Sequence, residues 1–174
     1  DQLNIVHSNV DIKNLKIYGA TSDAFDCDFC VGSITNMLVD HSNGDGLDVS
    51  GSDLKVEKLI ASNIRDKALS VGERSKIDVQ ELWVVNSGTG VASKDASSAT
   101  VLHYNGKGIQ YADFMTYTKK PFFTGQTNLQ IRTFNTSTTP VCKREDGTYL
   151  SVNDVDCAII DLDVEEMYST VMKK

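Results

Sequence analysis

Apolar and polar residues alternate in short runs along most of the chain, and the runs return at a fixed interval. Asp23-Ala24-Phe25-Asp26, Asp45-Gly46-Leu47-Asp48, Lys67-Ala68-Leu69-Ser70 and Thr89-Gly90-Val91-Ala92 begin 22 residues apart, with Asp1-Gln2-Leu3-Asn4 one period earlier. Leu3, Phe25, Leu47, Leu69 and Val91 therefore share one column, and Ile5, Cys27, Val49, Val71 and Ser93 share the next. A second run gives Leu15 and Ile17, Met37 and Val39, Leu59 and Ala61, Leu82 and Val84. A third gives Val10 and Ile12, Leu54 and Val56, Ile77 and Val79. Alternation with period two specifies strands rather than helices. Three short strands per period, separated by Gly, Asn, Ser and Asp, predict an all-β chain wound as a right-handed parallel β-helix; the LxxLxL pattern of leucine-rich repeats is missing. One inserted residue falls near Gly72-Glu73-Arg74-Ser75, where a turn absorbs it without flipping a strand.

Gly19, His41, Asn63 and Asn86 follow the second run in successive periods. They are expected at coil corners, where Asn takes left-handed geometry and stacked amides bond one another. This makes His41 a corner residue, not a catalyst.

The repeat fades after Gln110. Thr118 to Phe123 reads as a loop with aromatic cover, and alternation resumes at Leu129 and Ile131. Residues 1–125 are assigned to the β-helix, and 126–174 to a C-terminal strand, hairpin and helical cap packed on it. Asp146-Gly147 is the turn signal of the hairpin. In the last segment Asp163 caps a helix, with Glu166 three residues on and Val164, Met167, Tyr168 and Val171 on one face. That helix is expected to cover the open end of the solenoid.

The chain has 174 residues and a net charge of −7. That charge repels nucleic acid, no basic patch offsets it, and no run is long enough to span a membrane. The start lacks a signal peptide and an initiator Met, so the chain reads as a mature or excised piece of something longer. Of the four cysteines, Cys142 and Cys157 flank the expected hairpin and are candidates for a disulfide. Cys27 and Cys30 form a CxxC without a second CxxC or a His pair at zinc-finger spacing. They are read as small apolar residues beside the core.

Alternation around Cys27 and Val49 turns Asp26, Asp28 and Asp48 outward on one face, with neighbouring coils about 4.8 Å apart. Asp26 and Asp48 then stack as like charges, which costs energy unless a proton, a cation or a nearby Lys relieves it. The face admits three chemistries: a hard cation such as calcium held by Asp26, Asp28 and Asp48; hydrogen bonding to sugar hydroxyls with aromatic stacking; or acid and base catalysis on a polysaccharide, with Lys67 or Lys94 as the base. No GxSxG, HExxH, P-loop or GxGxxG motif is present.

The segments Ser42 to Ser52, Asp66 to Glu73 and Gly90 to Asp95 resemble the β-helix regions of bacterial surface and secreted proteins, including those attached to spore-coat-H-like kinase domains. The resemblance implies an extracellular or cell-surface setting and a fold shared with polysaccharide lyases, epimerases, tailspikes and adhesins. No catalytic signature of those enzymes is matched. The expectation is a non-catalytic module of a larger protein, serving as a rigid spacer or a carbohydrate-contacting surface, with no cofactor beyond a candidate calcium ion. A polysaccharide lyase, epimerase or hydrolase is the alternative, and an element assembling end to end on upstream coils or a second copy is the third.

Overall fold

The computed structural model describes residues 1–153 and 159–172. It is a parallel β-solenoid of about seven turns. Its strands are β1 (Leu3–Val6), β2 (Asn9–Ala20), β3 (Phe25–Asp28), β4 (Val31–Ser42), β5 (Leu47–Ser50), β6 (Asp53–Gly72), β7 (Lys76–Lys94), β8 (Ser98–Tyr117), β9 (Asn128–Thr136), β10 (Cys142–Arg144), β11 (Tyr149–Val152) and β12 (Ile159–Asp161). One helix, α1 (Val164–Thr170), follows. All of these strands pair in parallel with the coil above or below.

Within a coil the chain bends where the expected corner residues adopt left-handed backbone: His41 at φ 63°, Asn63 at 55°, Asn86 at 53° and Gly19 at 71°. Short polar side chains tolerate this region because they bond locally. The amide ladder also forms, with Asn86 Nδ2 donating to Asn63 Oδ1 at 3.3 Å. The corners separate three faces, represented in β6 by residues 53–56, 58–62 and 69–72. Ser50 faces Gly72 but Asp53 faces Lys76. The extra residue thus falls in the turn, where Glu73 and Arg74 are left-handed.

Inside, Phe25, Leu47, Leu69, Val91 and Phe114 form one fully buried column. Each such side chain contributes about 1.5–3 kcal/mol on burial. A second column closes a corner through hydroxyls: Cys30 N donates to Ser52 Oγ (2.8 Å), Ser52 N to Ser75 Oγ (3.0 Å) and Ser75 N to Ser97 Oγ (3.1 Å). These buried hydroxyls satisfy amides that leave the sheet ladder at the bend. Further along, Tyr104 fills the interior and its hydroxyl donates to Asp113 Oδ1 at 3.2 Å. Gly90 and Gly106 make room for that side chain, since a Cβ on Gly90 would lie 2.4 Å from its hydroxyl and one on Gly106 2.5 Å from its ring.

The solenoid runs on past residue 125. After the loop beyond Tyr117, β9 stacks on β8 in register, Ser98 facing Asn128 and Val101 facing Ile131. The Asp146-Gly147 turn exists, but the strands flanking it are not a hairpin: β10 pairs with β8 and β12, and β11 with β9. Each extends a different face, because a parallel partner was already in place beneath it. The Cys142–Cys157 pairing involves Cys157, which lies outside the described residues; Cys142 itself is buried.

Asp163 caps α1 as expected, accepting from Glu166 N at 2.9 Å. The helix lies on the side of the solenoid rather than across its end. Met167, with Leu162 and Met172, packs on Ala92, Ala112, Met115 and Tyr117. Ala92, Met115 and Tyr117 point outward from the third face, so they needed a cover of their own. No helix among the described residues is long and apolar enough to cross a membrane.

Candidate functional site

Asp26 and Asp48 are register partners, and Asp28 sits opposite Ser50. The expected acidic face is therefore real. Partial burial, then the charges of Asp28 and Asp48, push the Asp26 carboxyl up to about 6, against a hydrogen bond donated by Asn4 Nδ2 at 3.0 Å. Asp48 is relieved differently, by Lys94 Nζ at 3.6 Å from its Oδ1. Among the described residues no group of three His, Cys, Asp or Glu is placed to hold a metal ion.

Lys67 and Lys94 are buried, at 3% and 7% exposure. Lys67 Nζ lies 3.2 Å from Asp45 Oδ1 and 2.7 Å from Asp66 Oδ2. Burial pulls the Lys67 pKa down, but those carboxylates outweigh it and hold the ammonium above its ordinary value. A lysine base needs the opposite shift. Lys94 donates to Ser70 Oγ at 2.7 Å. Both ammonium groups are thus engaged in internal pairs beside the helix-covered part of the third face, where Tyr117 and Tyr168 hydroxyls meet at 2.9 Å.

The open site lies on the second face. Leu38, Ile60, Trp83, Asn105 and Asn135 form one outward column in unbroken register. Trp83, the sole tryptophan, is 42% exposed. Its orientation is fixed from beside and below: Nε1 donates to Glu81 Oε2 at 3.3 Å, Glu81 pairs with Lys58 at 3.1 Å, and Lys58 Nζ lies 5.8 Å from the ring centroid. Hydrogen bonds from Lys58 and then Trp83 hold the Glu81 carboxyl below its usual value. On the next coils Asn135 Nδ2 donates to Asn105 Oδ1 at 3.4 Å. His103 Nδ1 and Thr133 Oγ1, 2.7 Å apart, continue the Glu81 column.

Two grooves, each of about 320 Å³, flank this amide ridge and share Trp83, Asn105 and Asn135. Glu81 and His103 line one, Val85 and Lys107 the other. A fixed ring beside stacked amides suits a ligand with one apolar face and a rim of hydroxyls, because the ring takes the C–H face and each amide both donates and accepts. Sequence reasoning missed this site. The signal was present: alternation that places Leu82 and Val84 inward places Trp83 outward.

The CxxC is also corrected. Cys27 and Cys30 are fully buried, as small core residues are, but they are joined in a disulfide. Cys27 points inward from β3, and Cys30 occupies the corner column continued by Ser52, Ser75 and Ser97.

The class the fold defines is the parallel β-solenoid. Compared with known proteins, the chain matches no family model, no curated protein and no solved structure.

Proposed function

We propose that the chain is a non-catalytic module of a larger extracellular or cell-surface protein, a rigid solenoid that presents a carbohydrate-binding face centred on Trp83. The observation that carries this reading is the outward indole, pinned by Glu81 and Lys58 and followed in register by Asn105 and Asn135, with a groove on each side. A ring held in place before binding loses little freedom when a ligand stacks on it, which favours affinity from a small contact. The Cys27–Cys30 disulfide supports an oxidising compartment. The alternative of a polysaccharide lyase or hydrolase has less support, since Lys67 is buried, paired and shifted away from the range of a base.

The test is retention on a panel of immobilised neutral polysaccharides. Wild type is expected to be retained on at least one, and Trp83→Ala to be released from it with an unchanged melting temperature. Equal retention of the two proteins, or no retention of either, contradicts the reading.

A further inference from the structure

A separate groove of about 480 Å³ runs along the corner after the second face. It is bounded on one side by the left-handed residues His41, Asn63 and Asn86, and on the other by Asn43, Arg65 and Gln110. These belong to successive coils, since Ala20, Ser42, Ile64, Ser87 and Ile109 are register partners. The groove therefore follows the solenoid axis for about 19 Å at the usual strand spacing. It fits a linear polymer better than a compact molecule.

Its electrostatics differ from those of the rest of the surface. The chain has 24 Asp and Glu against 17 Lys and Arg, yet no carboxylate residue lines this groove. The acids beside it are already partnered: Asp40 accepts from Ser62 and from the wall residues Asn63 and His41, and Asp66 pairs with Lys67. Arg65 is exposed in the middle of the groove and makes no ion pair with the described residues. A guanidinium without a carboxylate partner presents a planar fork of donors that matches an oxyanion, and the amides around it match hydroxyls.

We propose that this corner groove binds a linear anionic glycan, with Arg65 taking a carboxylate or sulfate and Asn43, Asn86 and Gln110 contacting hydroxyls on either side. The site is independent of the Trp83 face. A polyanion as densely charged as duplex nucleic acid is disfavoured by the net charge of −7; Arg65, the one Lys or Arg lining the groove, takes a single anion of the glycan while the amides meet the neighbouring sugars.

Isothermal titration of the whole chain with an oligomer of uronic acids, its methyl ester, a sulfated oligosaccharide and poly-glutamate tests this, on wild type, Arg65→Gln and Trp83→Ala. The expected result is binding of the uronate or the sulfated oligomer, whichever source carries the anion. The neutral ester binds at least about tenfold more weakly than the preferred acid, equivalent to about 1.4 kcal/mol. Arg65→Gln abolishes that preference and Trp83→Ala preserves it. Equal binding of ester and acid, an unaltered preference in Arg65→Gln, equally tight binding of poly-glutamate, or no binding of either anionic glycan overturns the proposal. Loss of the preference in Trp83→Ala overturns its independence from the other face.

Discussion

Asp26 and Asp48 face each other across adjacent parallel strands, and each escapes the repulsion by a different route. Asp26 holds its proton to about pH 6, and Asp48 pairs with the buried Lys94. The two carboxylates should respond oppositely to neutralisation.

For Asp26 the folded pKa of about 6 stands above the unfolded value near 3.9. The folded state binds the proton more tightly, so stability is greatest below the unfolded value and falls as pH rises toward 6. Asp26→Asn removes that fall and raises stability at pH 7 by about 1 kcal/mol after discounting for solvent screening. Melting curves between pH 4 and pH 7 check this: the variant's curve is flatter, and its melting temperature at pH 7 is higher by about 2–4 °C.

Asp48→Asn has the reverse sign. It leaves the Lys94 ammonium, 7% exposed, without its carboxylate. A loss of about 1–3 kcal/mol is expected in urea denaturation at pH 7.

Lys67 carries the largest electrostatic commitment. Replacing it with Met strands Asp45, which is 3% exposed and bonded to both the backbone N–H and the ammonium of Lys67. The expected cost is about 3–5 kcal/mol, read from denaturant midpoints. A stable Lys67→Met variant would contradict the pairing.

Ser75 both accepts from Ser52 N and donates to Gly72 O at 2.6 Å. Ser75→Ala should destabilise by about 1–3 kcal/mol, because the buried Ser52 amide loses its acceptor, while Gly72 O keeps the N–H groups of Gly51 and Ser75. Ser75→Cys, a larger and weaker partner, is expected to fall between Ala and wild type in the same denaturation assay.

The coils were legible because a buried strand repeats its inward residues whatever faces outward. Phe25, Leu47 and Leu69 marked the third face, and Asn63 and Asn86 marked a corner, from spacing alone. What escaped depends on contacts between distant parts of the chain. Spacing placed Lys67 and Lys94 near outward acids, but only the return of Met167 and Tyr168 over Ala92 and Tyr117 shows why that region is buried. The hairpin expected around Asp146-Gly147 failed for a related reason. A local turn signal says that the chain reverses or bends, and the open edges of β8 and β9 decided what its strands paired with. Trp83 was readable from the alternation, yet its significance lay in the neighbours Glu81, Asn105 and Asn135 that the winding supplies.

Because Trp83 is the sole tryptophan, its emission reports on the second face without a label, and titrating it with the neutral polysaccharide that retains the protein is the most direct test of the binding face. The account predicts a saturable change in intensity and wavelength that tracks binding and is weakened by Asn105→Ala in proportion to the loss of affinity. Binding detected calorimetrically with no change in Trp83 emission would place the ligand elsewhere and contradict it.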